Sequence, residues 1–433
     1  MSLMLRKLEY ICLIGSIGLM GADRIDLLLG YTPFKLTPFL VLAPLVLFLA
    51  FLRAAPRGVY LPRITPPIQR QFPFLAGLVL FLLFAFASIA FSLDPARSFV
   101  AFCDLLLVSA LGYCISLLIL AEPAPGKLIL RSVTFALLIY LIFCVGESIA
   151  WHYGLILVPD QKGPSLGAMF APGSLIWAPR LSGSTLDSNR ACFVLVMYLA
   201  LLDWFVVPSR FARVLRFAIA FFIFLSLSRS GVLCWFGYYL FSENFWGRLT
   251  SRRAIAWLIV VILAGSVVGV AYRNEIGALA EVWELSDVVA ARMSMDEGSS
   301  GKDHILLIER GLETWGSSTK TMIAGIGFAS APKVLDDFFG DDKHGNFHCL
   351  FVTVLAELGL PAFLVLMFLM GYPVITRTGT ASCVAAIAIF NLSYQSHLEP
   401  LFWALIALLW SLEARDGHKL RSLALHTVAE SGH

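Results

Sequence analysis

The stretch Asp341 to Pro361, DDKHGNFHCLFVTVLAELGLP, decides how this chain is read. Its first eight residues hold two aspartates, a lysine and two histidines, His344 and His348. From Cys349 the chain turns apolar, with Glu357 the one ionisable side chain before Met370. Residues 348–371 are therefore long and apolar enough to cross a bilayer, which takes about 20 residues. Runs of this kind recur from end to end. Of 433 residues, 59% are hydrophobic and 14% charged, whereas soluble domains carry about 25% charged residues. In hydrocarbon every backbone polar group has to be paired within its own segment, so the expected class is an all-α polytopic membrane protein.

About twelve transmembrane helices are expected, at 8–22, 36–53, 72–92, 99–120, 129–149, 190–207, 212–228, 230–243, 254–272, 348–371, 379–395 and 398–412. Residues 212–243 also read as one long kinked unit. The first run, after Arg6 and Lys7, is read as an uncleaved helix rather than a signal peptide. Orientation follows from Lys and Arg in short loops. With the N-terminus in the cytoplasm, the cytoplasmic loops collect Arg53, Arg57, Lys127, Arg131, Arg210, Arg213, Arg216, Arg252 and Arg377. The short outer loops hold only Arg24, Lys35, Arg97 and Arg229. Two outer segments are long, 150–189 and 273–347. The second carries thirteen acidic and seven basic residues, and "AEVWELSDVVAARM" (280–293) has amphipathic helical spacing. The chain thus reads as a single transmembrane domain, 1–433, with a helical cap on the outer face.

Composition excludes several classes. The formal charge is +3 and the basic residues are scattered, so no nucleic-acid tract is present. Eight cysteines lie mostly in apolar runs and form no CxxC pair, which supports neither a disulfide framework nor a thiolate metal site. GxSxG, HExxH and nucleotide fingerprints are absent, and no cofactor is expected.

The chemistry-bearing residues gather on the outer side. His344 and His348, four apart, share a face if the tenth helix includes both. A neutral imidazole at a helix mouth can take a proton from a hydroxyl; it can equally cap or pack. Asp336, Asp337, Asp341, Asp342, His344 and His348 are potential metal ligands, but acids on a solvated loop are common and no ligand spacing is fixed. Glu357 lies about 13 Å deeper on a continuous helix. An intramembrane carboxylate is either functional or hydrogen-bonded to a neighbour; Asp104 and Glu147 raise the same question. Arg180 and Arg190 bracket "LSGSTLDSN", and Arg229 sits in the tight corner "SLSRSG". Arg292 and Arg310 belong to the long outer loop. Guanidinium groups at an outer interface suit a lipid-linked diphosphate, or snorkel to ordinary head groups. "GIGF", with Gly325 and Gly327, marks a turn or a close backbone approach.

These stretches, in this order, resemble the O-antigen ligase and O-antigen polymerase family of bacterial envelope glycosyltransferases. "RLSGSTLDSN" (180–189) is similar to the family's Arg, Gly and Asn stretch before a span, and "SLSRSG" to its Ser-Arg-Gly corner. Gly325 and Gly327 match the Gly-x-Gly that ends its large loop. "HCLFVTVLAELGLPA" is similar to its His-Asn-x-x-Leu…Glu-x-Gly-x-x-Gly signature, with His348, Glu357 and Gly359 in register. Cys349 stands where the family has Asn, and Ala362 where it has a second Gly. The resemblance covers 180–371.

The resemblance implies a fold like that of other polyprenyl-dependent membrane glycosyltransferases, in the bacterial inner membrane with a periplasmic active site. It implies transfer of a glycan from undecaprenyl diphosphate to a hydroxyl of lipid A-core (a ligase) or of a second lipid-linked glycan (a polymerase). His348 would be the base, with Arg229 and Arg310 on the diphosphate and no metal required. Arg180, Asn189, Arg190, Arg292, His344, Gly325, Gly327 and Glu357 would contact substrate, Arg292 being the alternative to Arg310. A transporter or flippase of lipid-linked saccharide is the reading from another class. Transporters usually carry internal repeats, and none is visible here.

Overall fold

The computed structural model describes residues 3–25, 37–54, 68–153, 181–226, 228–242, 300–339, 345–376 and 380–410. Their regular structure is helical, with no strand among them. In chain order the helices are α1 (Leu3–Leu19), α2 (Pro38–Ala54), α3 (Ile68–Ser88), α4 (Pro95–Ala121), α5 (Pro125–His152), α6 (Ser188–Phe205), α7 (Arg210–Leu225) and α8 (Arg229–Leu240). Then come α9 (Ser300–Gly316), α10 (Thr319–Ala324), α11 (Ala331–Phe339), α12 (Leu350–Thr376), α13 (Ala381–Asn391) and α14 (Pro400–Trp410). Of the expected spans, 254–272 lies outside the described residues, as does the amphipathic stretch 280–293.

Local chemistry sets the helix starts. Asp94 accepts from the Arg97 N–H at 3.0 Å while Pro95 supplies a preset first φ. Asp187 accepts from the Asn189 and Arg190 N–H groups at 2.8 and 2.9 Å to open α6. Ser209 and Ser228 cap α7 and α8 in the same way. Residues 212–243 are therefore two helices, parted at the corner that holds Ser226 and Ser228.

Among the described residues, five helices are long and apolar enough to cross a membrane: Pro73–Phe91, Pro95–Ala121, Pro125–Ala150, Ser188–Phe205 and Leu350–Ile375. Pro38–Leu49, Ala381–Asn391 and Pro400–Trp410 are apolar but shorter. The chain is a membrane protein whose described residues fold into helices alone. Its outward-facing side chains agree: Ile142 is 68% and Phe217 73% exposed, a surface made for lipid rather than water. The interior is filled by Phe74, Phe81, Phe193, Phe390, Phe402 and Trp403. Close helix contact depends on small residues. A Cβ on Gly112 would sit 2.6 Å from the Ala404 backbone nitrogen, so any side chain there would push α4 off α14.

α12 is broken. Gly359 has φ 80° and ψ 176°, followed by Pro361, so two helical pieces meet at a bend. Polar groups concentrate at the end of the bundle that holds the first piece. Arg24, Glu147, Asp187, Arg190, Arg229, His348 and Glu399 all sit there. The opposite end carries Lys7, Lys127, Arg131, Arg210 and Arg213, with Arg131 over the Tyr10 ring at 5.4 Å.

Candidate functional site

A clasp forms where "GIGF" meets the break in α12. A helix break frees carbonyls, and a free carbonyl inside a bundle has to be paired. Here Ala356 O accepts from the Ile326 N–H at 2.9 Å, and Glu357 O from the Gly327 N–H at 3.0 Å. The buried Glu357 carboxylate accepts from the Ala329 and Ala331 N–H groups, both at 2.9 Å, and so caps α11. Gly325 (φ 70°) and Gly359 (φ 80°) need their left-handed backbone. A Cβ on Gly325 would overlap the Glu357 backbone, and one on Gly359 the Ile323 carbonyl. Serines hold the other side of the loop: the Phe328 N–H donates to Ser88 Oγ at 3.0 Å, and Ser92 and Ser330 hydroxyls pair at 2.8 Å. Gly325, Gly327 and Glu357 thus meet in one structural knot, with Glu357 spent on backbone amides.

Beside it lies an ion network. Arg190 bridges Asp23 and Glu399. Arg24 pairs with Glu147, whose carboxylate also accepts from the Ser182 and Gly183 N–H groups at 3.2 and 3.1 Å. Burial pushes the Asp23 carboxyl up, opposed by Arg190. Arg190 therefore ties α6 to the ends of α1 and α14, a use of guanidinium that differs from holding substrate. Glu147 has a partner as well, while Asp104 is exposed on α4.

The corner before α8 is built from hydroxyls. Ser228 Oγ caps Gly231 and donates to Asn189 Oδ1 at 2.7 Å. Arg229, next to it, is exposed at the first turn of α8. Asn189 thus braces the corner that presents Arg229.

His348 does not belong to a helix. It lies two residues before α12 with φ 53°, half-buried, its N–H donating to Asn346 Oδ1 at 2.8 Å. The face-sharing expected with His344 does not arise from helical spacing, and His344 itself lies outside the described residues. A non-glycine residue held in the left-handed region costs energy, and such residues cluster at functional sites. The partner of His348 is one that the sequence reading passed over. The His304 ring, on α9, meets it edge to face at 4.4 Å between centroids. Gly311 of α9 lies against Phe347 and Val352, which docks α9 on the mouth of α12. Further along α9, Arg310 pairs with Glu313 at 3.1 Å and lies over the Phe338 ring of α11 at 4.7 Å.

Hydrogen bonds connect this mouth to the corner. The Leu350 N–H donates to Tyr394 O at 3.0 Å, and the Tyr394 hydroxyl to Asp187 at 3.4 Å. Asp187 caps the helix that carries Asn189, the acceptor of Ser228. The residues flanking His348 and Arg229 are thereby linked through one set of hydrogen bonds. Two grooves flank α5, and neither is lined by His348 or Arg229. One, of about 450 Å³, is lined by Leu141, Val145, Ile149, Leu181, Phe221 and Leu225. The other, of about 370 Å³, includes Arg24 and Glu147.

Arg180 and Arg292 lie outside the described residues, as do Asp341 and Asp342. Among the described residues, no group of three His, Cys, Asp or Glu is placed to hold a metal ion. Another buried imidazole sits nearby: His397 packs against Phe328 at 5.8 Å between centroids, and burial pushes its pKa down to about 4. No family model matches the chain, and no curated protein is similar to it.

Proposed function

We propose that this membrane protein is a glycosyltransferase that moves a glycan from undecaprenyl diphosphate to an acceptor hydroxyl. The chain crosses the bacterial inner membrane twelve times, and the end bearing His348 faces the periplasm. The acceptor is lipid A-core for a ligase or a second lipid-linked glycan for a polymerase. The observation that carries the reading is the placement of His348. It is a half-buried imidazole in a strained backbone, at the mouth of α12, on a hydrogen-bonded framework shared with the Arg229 corner.

In the reaction, an imidazole nitrogen of His348 takes the proton of the acceptor hydroxyl. That oxygen forms a bond to the anomeric carbon while the bond from that carbon to the diphosphate oxygen breaks. The electron pair leaves with undecaprenyl diphosphate, whose charge is met by Arg229 and Arg310. A single displacement inverts the anomeric centre. A positioned general base contributes roughly 10²–10⁴ in rate. Without the diphosphate's cationic partners the leaving group would carry its charge unaided beside a low-dielectric surface.

The test is transfer in proteoliposomes from purified undecaprenyl diphosphate glycan, with each acceptor offered separately. Product with one acceptor, lost in His348→Ala and resistant to EDTA, supports the reading. Movement of the lipid-linked glycan across the bilayer with no new glycosidic bond would replace it with transport.

A further inference from the structure

Arg310 is held as though for an anion. Its planar guanidinium carries five N–H donors and two faces. The Nη1 edge goes to Glu313 at 3.1 Å. The face lies on the Phe338 ring, with the guanidinium carbon 4.7 Å from the centroid. Nε is buried and has no acceptor among the described residues. A buried donor left without an acceptor is costly, and it points to a group that the ligand supplies.

We infer that Phe338 is a positioning residue that fixes the Arg310 guanidinium so that its Nη2 end, on the edge shared with Nε, receives a phosphate oxygen. The inference rests on the proposed reaction for the identity of that phosphate, the diphosphate of the donor. The planar fork of Arg captures an oxyanion well only when its plane is set, and an aromatic face sets it. Phe338 is itself placed from a distance. It belongs to α11, whose first turn is capped by the Glu357 carboxylate through Ala329 and Ala331. The same carboxylate that closes the break in α12 therefore orients the shelf under Arg310. This gives Glu357 a role in donor binding without contact to the donor.

The full-length protein in zwitterionic nanodiscs is titrated with undecaprenyl diphosphate, and phenylglyoxal modification of Arg310 is followed by peptide mass spectrometry. Wild type, Phe338→Leu and Phe338→Tyr are compared. Leucine fills the space without an aromatic face; tyrosine keeps the face. The expected result is a Kd raised about three- to tenfold in Phe338→Leu, from the size of an exposed to partly desolvated cation–π contact. Faster Arg310 modification accompanies it, and both return to within twofold of wild type in Phe338→Tyr. Unchanged affinity and unchanged modification in Phe338→Leu overturn the inference. Faster modification in Phe338→Leu, with no protection of wild-type Arg310 by the lipid, leaves Phe338 as the positioning residue and rejects the diphosphate reading instead.

Discussion

Replacing Glu357 by alanine is the perturbation with the most legible consequence. Its carboxylate is the acceptor for two amides, the half-buried Ala329 and the buried Ala331, each at 2.9 Å. Alanine leaves both donors without a partner. Each unsatisfied buried donor costs roughly 1–3 kcal/mol, so the local loss is about 2–6 kcal/mol. At about 1.4 kcal/mol per tenfold, a mid-range loss of about 4 kcal/mol accelerates local opening roughly 700-fold. Glutamine keeps one carbonyl oxygen to accept one amide and turns an NH₂ group toward the other, so its penalty is about half. Hydrogen–deuterium exchange resolved to the peptides covering 325–335 reads this directly, with the peptides of α6 as internal control. The expected order of exchange is wild type slowest, then Glu357→Gln, then Glu357→Ala. Exchange of the 325–335 amides within twofold of wild type in Glu357→Ala would refute the capping role.

The other predictions use the same logic. Arg190→Leu strands Asp23 and Glu399 as buried acids and is expected to cost about 3–5 kcal/mol, read as a lower thermal midpoint; an unchanged midpoint would mean the bridge does not form. Gly359→Ala forces a Cβ at φ 80° into the Ile323 carbonyl and is expected to remove monodisperse protein; normal yield and melting would place the bend elsewhere. His397 is neutral when folded, with a pKa of about 4 against about 6.5 unfolded. The unfolded chain binds the extra proton, so stability is full above pH 6.5 and falls by up to about 3 kcal/mol as pH drops to 4. Thermal midpoints from pH 7.5 to 4.5 should show this loss in wild type and less of it in His397→Leu; equal slopes would remove His397 as the cause.

The membrane helices were legible because their signal is local. An apolar run of about 20 residues identifies itself from its own neighbourhood. "GIGF" likewise signalled a turn or a close backbone approach. What approached it was hidden, because Glu357 and Gly359 lie some thirty residues away and nothing in a single sequence ties the two stretches together. The partners of Arg190 were hidden for the same reason. A guanidinium before a span suits a diphosphate, yet its acids come from Asp23 and Glu399, at opposite ends of the chain. One signal was available: Asp23-Arg24 at the end of an apolar run is a costly pair unless each member has a partner elsewhere. His304 was passed over because it stands alone among polar residues, and only the docking of α9 through Gly311 brings it to His348. The bend at Gly359 also lay beyond the reading, which took the tenth helix as continuous.

The central claim is that His348 and Arg229 act on one bond. It is tested most directly by single-turnover transfer in proteoliposomes with wild type, His348→Ala and Arg229→Gln, all shown to be folded. The account predicts that His348→Ala loses at least about a hundredfold in the rate of glycosidic bond formation while still binding undecaprenyl diphosphate. It predicts that Arg229→Gln loses both rate and donor affinity. Wild-type rates in His348→Ala, or a wild type that forms no glycosidic bond with any lipid-linked donor, would contradict it.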